Sequence, residues 1–211
     1  MARHTRAGVS SFRRRDVTDV SDRPSTVRRV LKSAYHSVRN LPDRVLHRRR
    51  HREVRQRLSR RQRPREILVV CYGNVCRSPY LQAVLQRALP DLAVKSAGFF
   101  GSDRAVPEIS VALGAKRGLD LSRYRSRPLT QSTVSSADLL IVMDSDQARQ
   151  IGRLFPRNRA PIVVAGDLDP KFESSRAITD PWNRSCDVFE SSFNRLDRCA
   201  ATLVSILQRS K

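Results

Sequence analysis

The chain has 211 residues and a formal net charge of +21, with 41 Lys and Arg residues against 20 Asp and Glu residues. That length fits one ordinary domain with an appendage. No apolar run approaches the ~18 residues that span a bilayer, and the basic N-terminus has no apolar stretch typical of a secretory signal. Four cysteines are too few for a disulfide scaffold, and no Cys-x-x-Cys pair indicates structural zinc. We therefore expect a reduced, cytoplasmic setting and predict no metal site.

The charge is unevenly distributed along the chain. Residues 1–65 carry 21 basic and 5 acidic residues, a net of +16, whereas residues 66–211 carry a net of only +5. Helical spacing of apolar residues predicts a basic amphipathic helix over about 27–41 and a weaker helix over 43–62. We interpret residues 1–65 as a basic N-terminal extension, mostly disordered or helical, that contacts an anionic membrane surface or an acidic partner. An extension that only aids solubility is the alternative, and nucleic-acid binding is less favoured because no aromatic residues are interleaved.

From residue 66 onward, strand patterns alternate with helix patterns. Short apolar runs predict strands at 67–70, 93–97, 139–143 and 162–164, and amphipathic segments predict helices at 79–89, 107–117, 145–155 and 188–207. Such alternation is typical of an α/β fold, with a central parallel sheet and helices on both faces. We therefore predict one α/β domain over residues 66–211, with its ligand site beyond the carboxyl ends of the strands.

The segment after the first predicted strand, residues 71–79, reads CYGNVCRSP and leads into a helix. Backbone N–H groups of such a loop can surround an anion, and the helix N-terminus adds partial positive charge. Gly73 and Asn74 tolerate the left-handed backbone that a tight loop requires. Positive charge from Arg77 and the helix favours Cys71 as a thiolate nucleophile, and the Arg77 fork can hold two phosphoryl oxygens. The sequence therefore predicts a phosphate-binding loop after the first strand.

This loop resembles the phosphate-binding loop of the low-molecular-weight protein tyrosine phosphatases. Three further segments are similar to that family, namely Ser96-Ala97-Gly98, residues 121–129 and Asp180-Pro181-Trp182. The resemblance covers about residues 66–209, and residues 1–65 have no counterpart in the family's usual chain. It implies a catalytic domain that hydrolyses phosphotyrosine in protein substrates through a phosphocysteine intermediate, with no cofactor and no metal.

The resemblance also implies roles for individual residues. Cys71 is the nucleophile, Arg77 binds the phosphoryl group, and Asp180 acts first as general acid and then as general base. Ser78 hydrogen-bonds the cysteine sulfur and Asn74 braces the loop. The implied substrate-binding residues are Tyr72, Gly73, Asn74, Val75, Cys76, Ser78 and Trp182, the last packing on an aromatic substrate ring. A reversible Cys71–Cys76 disulfide that shields the nucleophile from over-oxidation is implied as well.

Several alternatives stay open on the sequence. An arsenate reductase shares the loop pattern, but that chemistry needs a second, closely spaced cysteine pair, and Cys186 and Cys199 are 13 residues apart. A phosphatase for another phosphoamino acid such as phosphoarginine is a second alternative, although the bulky, apolar Val75 favours phosphotyrosine. Asp144 either orients Arg77 or caps the next helix. A non-enzymatic phosphate sensor with a nucleic-acid- or membrane-binding arm is the remaining alternative, and the intact catalytic set argues against it.

Overall fold

Residues 41–209 are described by the computed structural model, and they contain six α-helices and four strands. The helices are α1 (Leu41–Ser59), α2 (Arg77–Ala88), α3 (Glu108–Ala115), α4 (Gln131–Ser136), α5 (Ser145–Leu154) and α6 (Cys186–Arg209), and the strands are β1 (Glu66–Cys71), β2 (Ala93–Gly98), β3 (Leu139–Val142) and β4 (Ile162–Val164). The helix predicted over about residues 27–41 lies outside the described residues. Within residues 41–209, no helix combines the length and the apolar character needed to cross a membrane.

The four strands form one parallel sheet in the order β2-β1-β3-β4. Cys71 at the end of β1 lies beside Gly98 at the end of β2, and Val70 lies beside Val142 at the end of β3. The chain first builds the sheet on one side of β1 and then crosses to the other side. Ligands of open α/β sheets bind at such a switch point, and the loop after β1 occupies it.

The two faces of β1 have different helical neighbours, which explains why its apolar run is continuous. Ile67 and Val69 point into a core shared with α2, α3 and α6, whereas Leu68 and Val70 point into a core shared with α4 and α5. All four residues are fully buried. A strand that is covered on both faces cannot alternate between apolar and polar residues. The predicted fold class, a parallel sheet with helices on both faces, is confirmed.

Helix α1 belongs to the basic extension by composition but packs on the α/β domain. Val54 and Leu58 are only 4% and 5% exposed, and they join the same core cluster as residues of α6. At the helix surface, His51 Nδ1 lies 3.0 Å from the Asp167 carbonyl oxygen, and Arg57 donates to the Ile162 carbonyl oxygen at 3.2 Å. Helix α1 therefore packs on the α/β domain although it lies on the N-terminal side of residue 65, where the composition predicts the boundary.

Candidate active site

Cys71 lies at the carboxyl end of β1, and only 2% of it is exposed. Its Sγ lies 2.9 Å from Ser78 Oγ, and it accepts a hydrogen bond from the Asn74 backbone N–H at 3.2 Å. Asn74 Nδ2 donates to the same serine oxygen at 2.9 Å, which leaves the hydroxyl hydrogen of Ser78 available for the sulfur. Two donors therefore converge on Sγ, and hydrogen bonds of this kind are strongest when the acceptor is an anion.

Asn74 connects the loop to the rest of the domain. It is fully buried and has a left-handed backbone, with φ of 51°. Its Nδ2 donates to Ser96 Oγ at 2.9 Å, and its Oδ1 accepts from the Tyr124 hydroxyl at 2.8 Å and from the Arg127 N–H at 2.7 Å. Gly98 lets these segments approach, because a Cβ there would lie 2.8 Å from the Asn74 nitrogen. The structure thus places Asn74 where the resemblance assigns a brace.

Arg77 begins α2 and is 3% exposed, so its guanidinium is directed by the protein rather than by solvent. Its Nη1 donates to the Ile178 carbonyl oxygen at 3.0 Å, and its Nη2 pairs with the Asp180 carboxylate. Asp180 is about half exposed, and its Oδ1 accepts the Trp182 backbone N–H at 3.2 Å. Two residues that are 103 positions apart in the sequence therefore meet beside the loop.

Asp144 acts as a helix cap in this structure. Its carboxylate accepts the Gln147 backbone N–H at 2.8 Å and the Gln147 side-chain amide at 3.0 Å, which closes the first turn of α5. No hydrogen bond or ion pair joins it to Arg77 within the described part of the chain. Of the two roles open on the sequence, the geometry favours capping.

A buried ion cluster holds the segment that leads to Asp180. Asp169 is fully buried and pairs with Arg195 and Arg198 of α6. Burial alone would raise the pKa of Asp169, but hydrogen bonds from Arg198 and from the Lys171 N–H outweigh it and hold the pKa below its usual value. Arg195 also donates to the carbonyl oxygens of Ala177 and Ser175, at 2.8 and 2.7 Å. The cluster therefore anchors Ser175 and Ala177, a few residues before the predicted acid.

A cleft of about 160 Å³ opens above the loop. It is lined by Cys71, Tyr72, Gly73, Val75, Cys76, Arg77, Phe100, Arg104, Asp180 and Trp182. Phe100 and Trp182 are 58% and 53% exposed, and Tyr72 stacks on Phe100 with ring centroids 6.1 Å apart. Phe100 and Arg104 were not predicted as site residues. The available signal was a pair of adjacent aromatics and a glycine, Phe99-Phe100-Gly101, in a loop beyond the end of a strand.

Cys76 lies in the same loop, and both it and Cys71 are free thiols. Burial, together with the neighbouring Cys71, raises the pKa of Cys76 to about 12. Cys76 is therefore a protonated thiol at neutral pH. Cys186 is exposed, and Cys199 is buried in α6, where burial raises its pKa to about 12.

A Cys-x5-Arg loop between a buried strand and a helix, facing an aspartate, is typical of cysteine-dependent phosphatases. The sequence profile of the low molecular weight phosphotyrosine protein phosphatases matches residues 66–211. The chain belongs to that family of hydrolases, which confirms the predicted family and enzyme class.

Individual relatives agree with this assignment. The probable low molecular weight protein-tyrosine-phosphatase EpsP of Ralstonia nicotianae is 37% identical over 133 residues, covering 63% of this chain and 88% of the relative. Etp of Escherichia coli K12, also a low molecular weight protein-tyrosine-phosphatase, is 32% identical, covering 68% and 95%. Among solved structures, the tyrosine phosphatase Wzb of Escherichia coli K30 with sulphate has a TM-score of 0.62 at 31% identity, covering 67% and 97%. The YwlE arginine phosphatase of Geobacillus stearothermophilus has a TM-score of 0.63 at 26% identity, covering 69% and 94%.

Proposed function

We propose that this protein hydrolyses phosphotyrosine in protein substrates, with Cys71 as nucleophile, Arg77 as phosphate ligand and Asp180 as general acid and base. One observation carries the proposal. The Cys71 sulfur accepts a hydrogen bond from the Asn74 N–H and lies 2.9 Å from Ser78 Oγ, on the floor of a cleft that Arg77 and Asp180 also line.

In the first step, the Cys71 thiolate attacks phosphorus and the bond to the tyrosine oxygen breaks. The Arg77 guanidinium and the backbone N–H groups of the loop hold the equatorial oxygens, where negative charge is concentrated in the transition state. Asp180 donates its proton to the departing tyrosine oxygen, so the product leaves as a neutral phenol. Because Asp180 pairs with Arg77 in the unliganded protein, the incoming phosphoryl group replaces this carboxylate as the partner of Arg77.

In the second step, water attacks the phosphocysteine and releases inorganic phosphate. Asp180, now ionised, takes a proton from that water, and the sulfur departs as a thiolate. The Ser78 hydroxyl stabilises the departing sulfur, to which it is 2.9 Å away. The exposed rings of Phe100 and Trp182 provide apolar walls for the substrate ring.

The decisive experiment is hydrolysis of an aryl phosphate, without added metal, by wild type, Cys71→Ser and Cys186→Ser. Cys186 is exposed and lies outside the cleft lining, so its substitution is a matched control. We expect Cys71→Ser to be inactive and Cys186→Ser to match wild type. Activity that survives Cys71→Ser, or an inactive wild type, would contradict the proposal.

Phosphoarginine is the second candidate substrate, because the arginine phosphatase of Geobacillus stearothermophilus shares the fold at 26% identity. The aromatic walls of the cleft and the names of the more similar relatives favour phosphotyrosine. Val75 is buried within the loop and lines the cleft, where its apolar side chain would contact the phenyl ring of phosphotyrosine. Matched peptides carrying either phosphoresidue separate the two candidates, and we expect the higher kcat/KM on phosphotyrosine.

We also propose that Cys76 protects the nucleophile. Peroxide oxidises the Cys71 thiolate to a sulfenic acid, and the Cys76 sulfur then displaces water from it to form a disulfide that thiols reduce. Because the pKa of Cys76 is raised to about 12, the disulfide forms faster as pH rises above neutrality. After mild peroxide and then thiol, wild type is expected to recover more activity than Cys76→Ser. Equal recovery would rule out the protective disulfide.

For the extension, we propose that the enzyme is cytoplasmic and that α1 makes electrostatic contact with an anionic membrane surface, which would keep the enzyme peripheral to the membrane. Arg48 and Arg52 are exposed on α1, whereas Val54 and Leu58 face the domain core. The support is therefore charge rather than an insertable apolar face. Sedimentation with phosphatidylserine vesicles is expected to exceed that with phosphatidylcholine vesicles and to fall at high salt. Binding that is equal for both lipids, or that does not change with salt concentration, would contradict this proposal.

A further inference from the structure

Arg104 lies in the loop between β2 and α3 and reaches across to the phosphate-binding loop. Its Nη2 donates to the Gly73 carbonyl oxygen at 2.6 Å and to the Phe100 carbonyl oxygen at 2.9 Å. The side chain is exposed, and it lines the same cleft as Cys71. An arginine is therefore fixed beside the reaction site, separate from the arginine that binds the phosphoryl group.

Two glycines make room for this guanidinium. A Cβ at Gly73 would lie 2.8 Å from Arg104 Nη2, and a Cβ at Gly101 would lie 2.7 Å from Arg104 Nε. Gly101 also has φ of +70°, a backbone conformation that side chains disfavour. The groove thus holds the guanidinium plane in one place, which lowers the entropy that a ligand contact would otherwise cost.

The guanidinium retains unused capacity for an anion. Both of its hydrogen bonds use Nη2, and Nη1 donates to no residue in the part of the chain that the structure describes. Nor does any carboxylate among residues 41–209 form an ion pair with Arg104. A positioned arginine with a free edge matches the geometry of a carboxylate.

We propose that Arg104 is a specificity-determining residue that binds an acidic side chain next to the phosphotyrosine of the substrate protein. This inference rests on the proposed phosphotyrosine phosphatase function and names the class of substrate that the site prefers. Arg77 receives the phosphoryl group, and Arg104 receives a carboxylate of the neighbouring polypeptide at the mouth of the cleft. A contact of this kind at an exposed site is worth about two- to fivefold in kcat/KM.

The test compares three substrates on the full-length protein: a small aryl phosphate, a phosphotyrosine peptide flanked by Glu, and the same peptide flanked by Gln. The readout is the ratio of kcat/KM for the two peptides, because a general disturbance of the loop lowers both equally. We expect a ratio of about two to five for wild type and close to one for Arg104→Gln. Arg104→Lys keeps the charge without the fork, so we expect an intermediate ratio.

Arg125→Gln is the matched control. Arg125 pairs through the backbone with Ala105, next to Arg104. Among the residues that the structure describes, its side chain donates only to carbonyl oxygens of its own loop, those of Ser122 and Tyr124. The Arg125→Gln substitution removes the same charge from a residue that does not line the cleft. We therefore expect this variant to keep the wild-type ratio of kcat/KM for the two peptides. A ratio of one in wild type, or an unchanged ratio in Arg104→Gln, would overturn the specificity proposal. A wild type that hydrolyses none of the three substrates would instead overturn the proposed function.

Discussion

Replacing Asn74 tests whether its hydrogen bonds, rather than its backbone conformation alone, organise the phosphate-binding loop. The side chain makes four hydrogen bonds, to Ser78, Ser96, Tyr124 and Arg127. At about 1 kcal/mol each, Asn74→Gly should lower the free energy of unfolding by about 4 kcal/mol. Alanine adds about 1–2 kcal/mol of left-handed strain, partly offset by about 0.5–1 kcal/mol from the greater flexibility of glycine in the unfolded chain. We therefore expect Asn74→Ala to be the less stable of the two.

Asn183 provides the matched control, because it is exposed and also left-handed, with φ of 57°. In urea unfolding, the free energy of unfolding of Asn183→Gly should stay within about 0.5 kcal/mol of wild type. That of Asn183→Ala should fall only by the cost of placing alanine in a left-handed backbone. Under conditions where Asn74→Gly is folded, we expect its kcat for an aryl phosphate to fall on the order of tenfold to a hundredfold, since the loop N–H groups are no longer fixed. If Asn74→Gly costs no more stability than Asn183→Gly, the network does not organise the loop.

Three further predictions concern the docked helix, the acid and the buried ion cluster. Leu58→Ala should lower the free energy of unfolding by about 2–3 kcal/mol, whereas the exposed Leu46→Ala should change it by less than about 0.5 kcal/mol; equal losses in urea unfolding would contradict the docking of α1. Asp180→Asn should lower kcat by about 10²–10⁴-fold for a phosphate ester with a poor leaving group and by much less for one with a good leaving group, and equal losses would contradict the general-acid role. Hydrogen bonds from Arg198 keep the pKa of Asp169 low despite burial, so the stabilisation by this carboxylate is present above about pH 4 and is lost as pH falls further. Asp169→Asn should therefore lower the free energy of unfolding by about 3 kcal/mol at pH 7, and the difference from wild type should narrow below about pH 4. A difference that is the same at all pH values would contradict this assignment.

The strands could be predicted because burial on both faces leaves a plain signal. Apolar runs predict strands at 67–70 and 162–164, and the structure has Glu66–Cys71 and Ile162–Val164. Helix α4 could not be predicted, because its six residues are too few to show a helical period. Thr130 and Thr133 instead start it through reciprocal hydrogen bonds, a capping box with Thr in place of the usual Glu or Gln.

The composition of α1 gives no indication that this helix packs on the α/β domain. Helical spacing predicts a weak helix over 43–62, and the structure has Leu41–Ser59. Arginines dominate this helix, so the high charge suggests a solvated arm. Among residues 45–59, whose side chains the structure describes, Val54 and Leu58 are the buried apolar residues, and they lie one turn apart. Two apolar residues at that spacing are common in solvated helices as well, so the sequence alone could not separate the two outcomes.

A local sequence predicts the chemistry of a site most clearly where one short segment contains most of the groups that form the site. The loop of residues 71–79 holds the sulfur, its two hydrogen-bond donors and the guanidinium, so its residue types alone predict a phosphate site. Arg104 lacks such a signal, because its position depends on two glycines in two different loops and on a carbonyl oxygen across the cleft. Arg104 can be distinguished from the other arginines of this chain only when the structure shows the groove that confines its guanidinium. Residues that decide which substrate binds at the mouth of a cleft are therefore harder to predict from sequence than those that bind the reacting group at its floor.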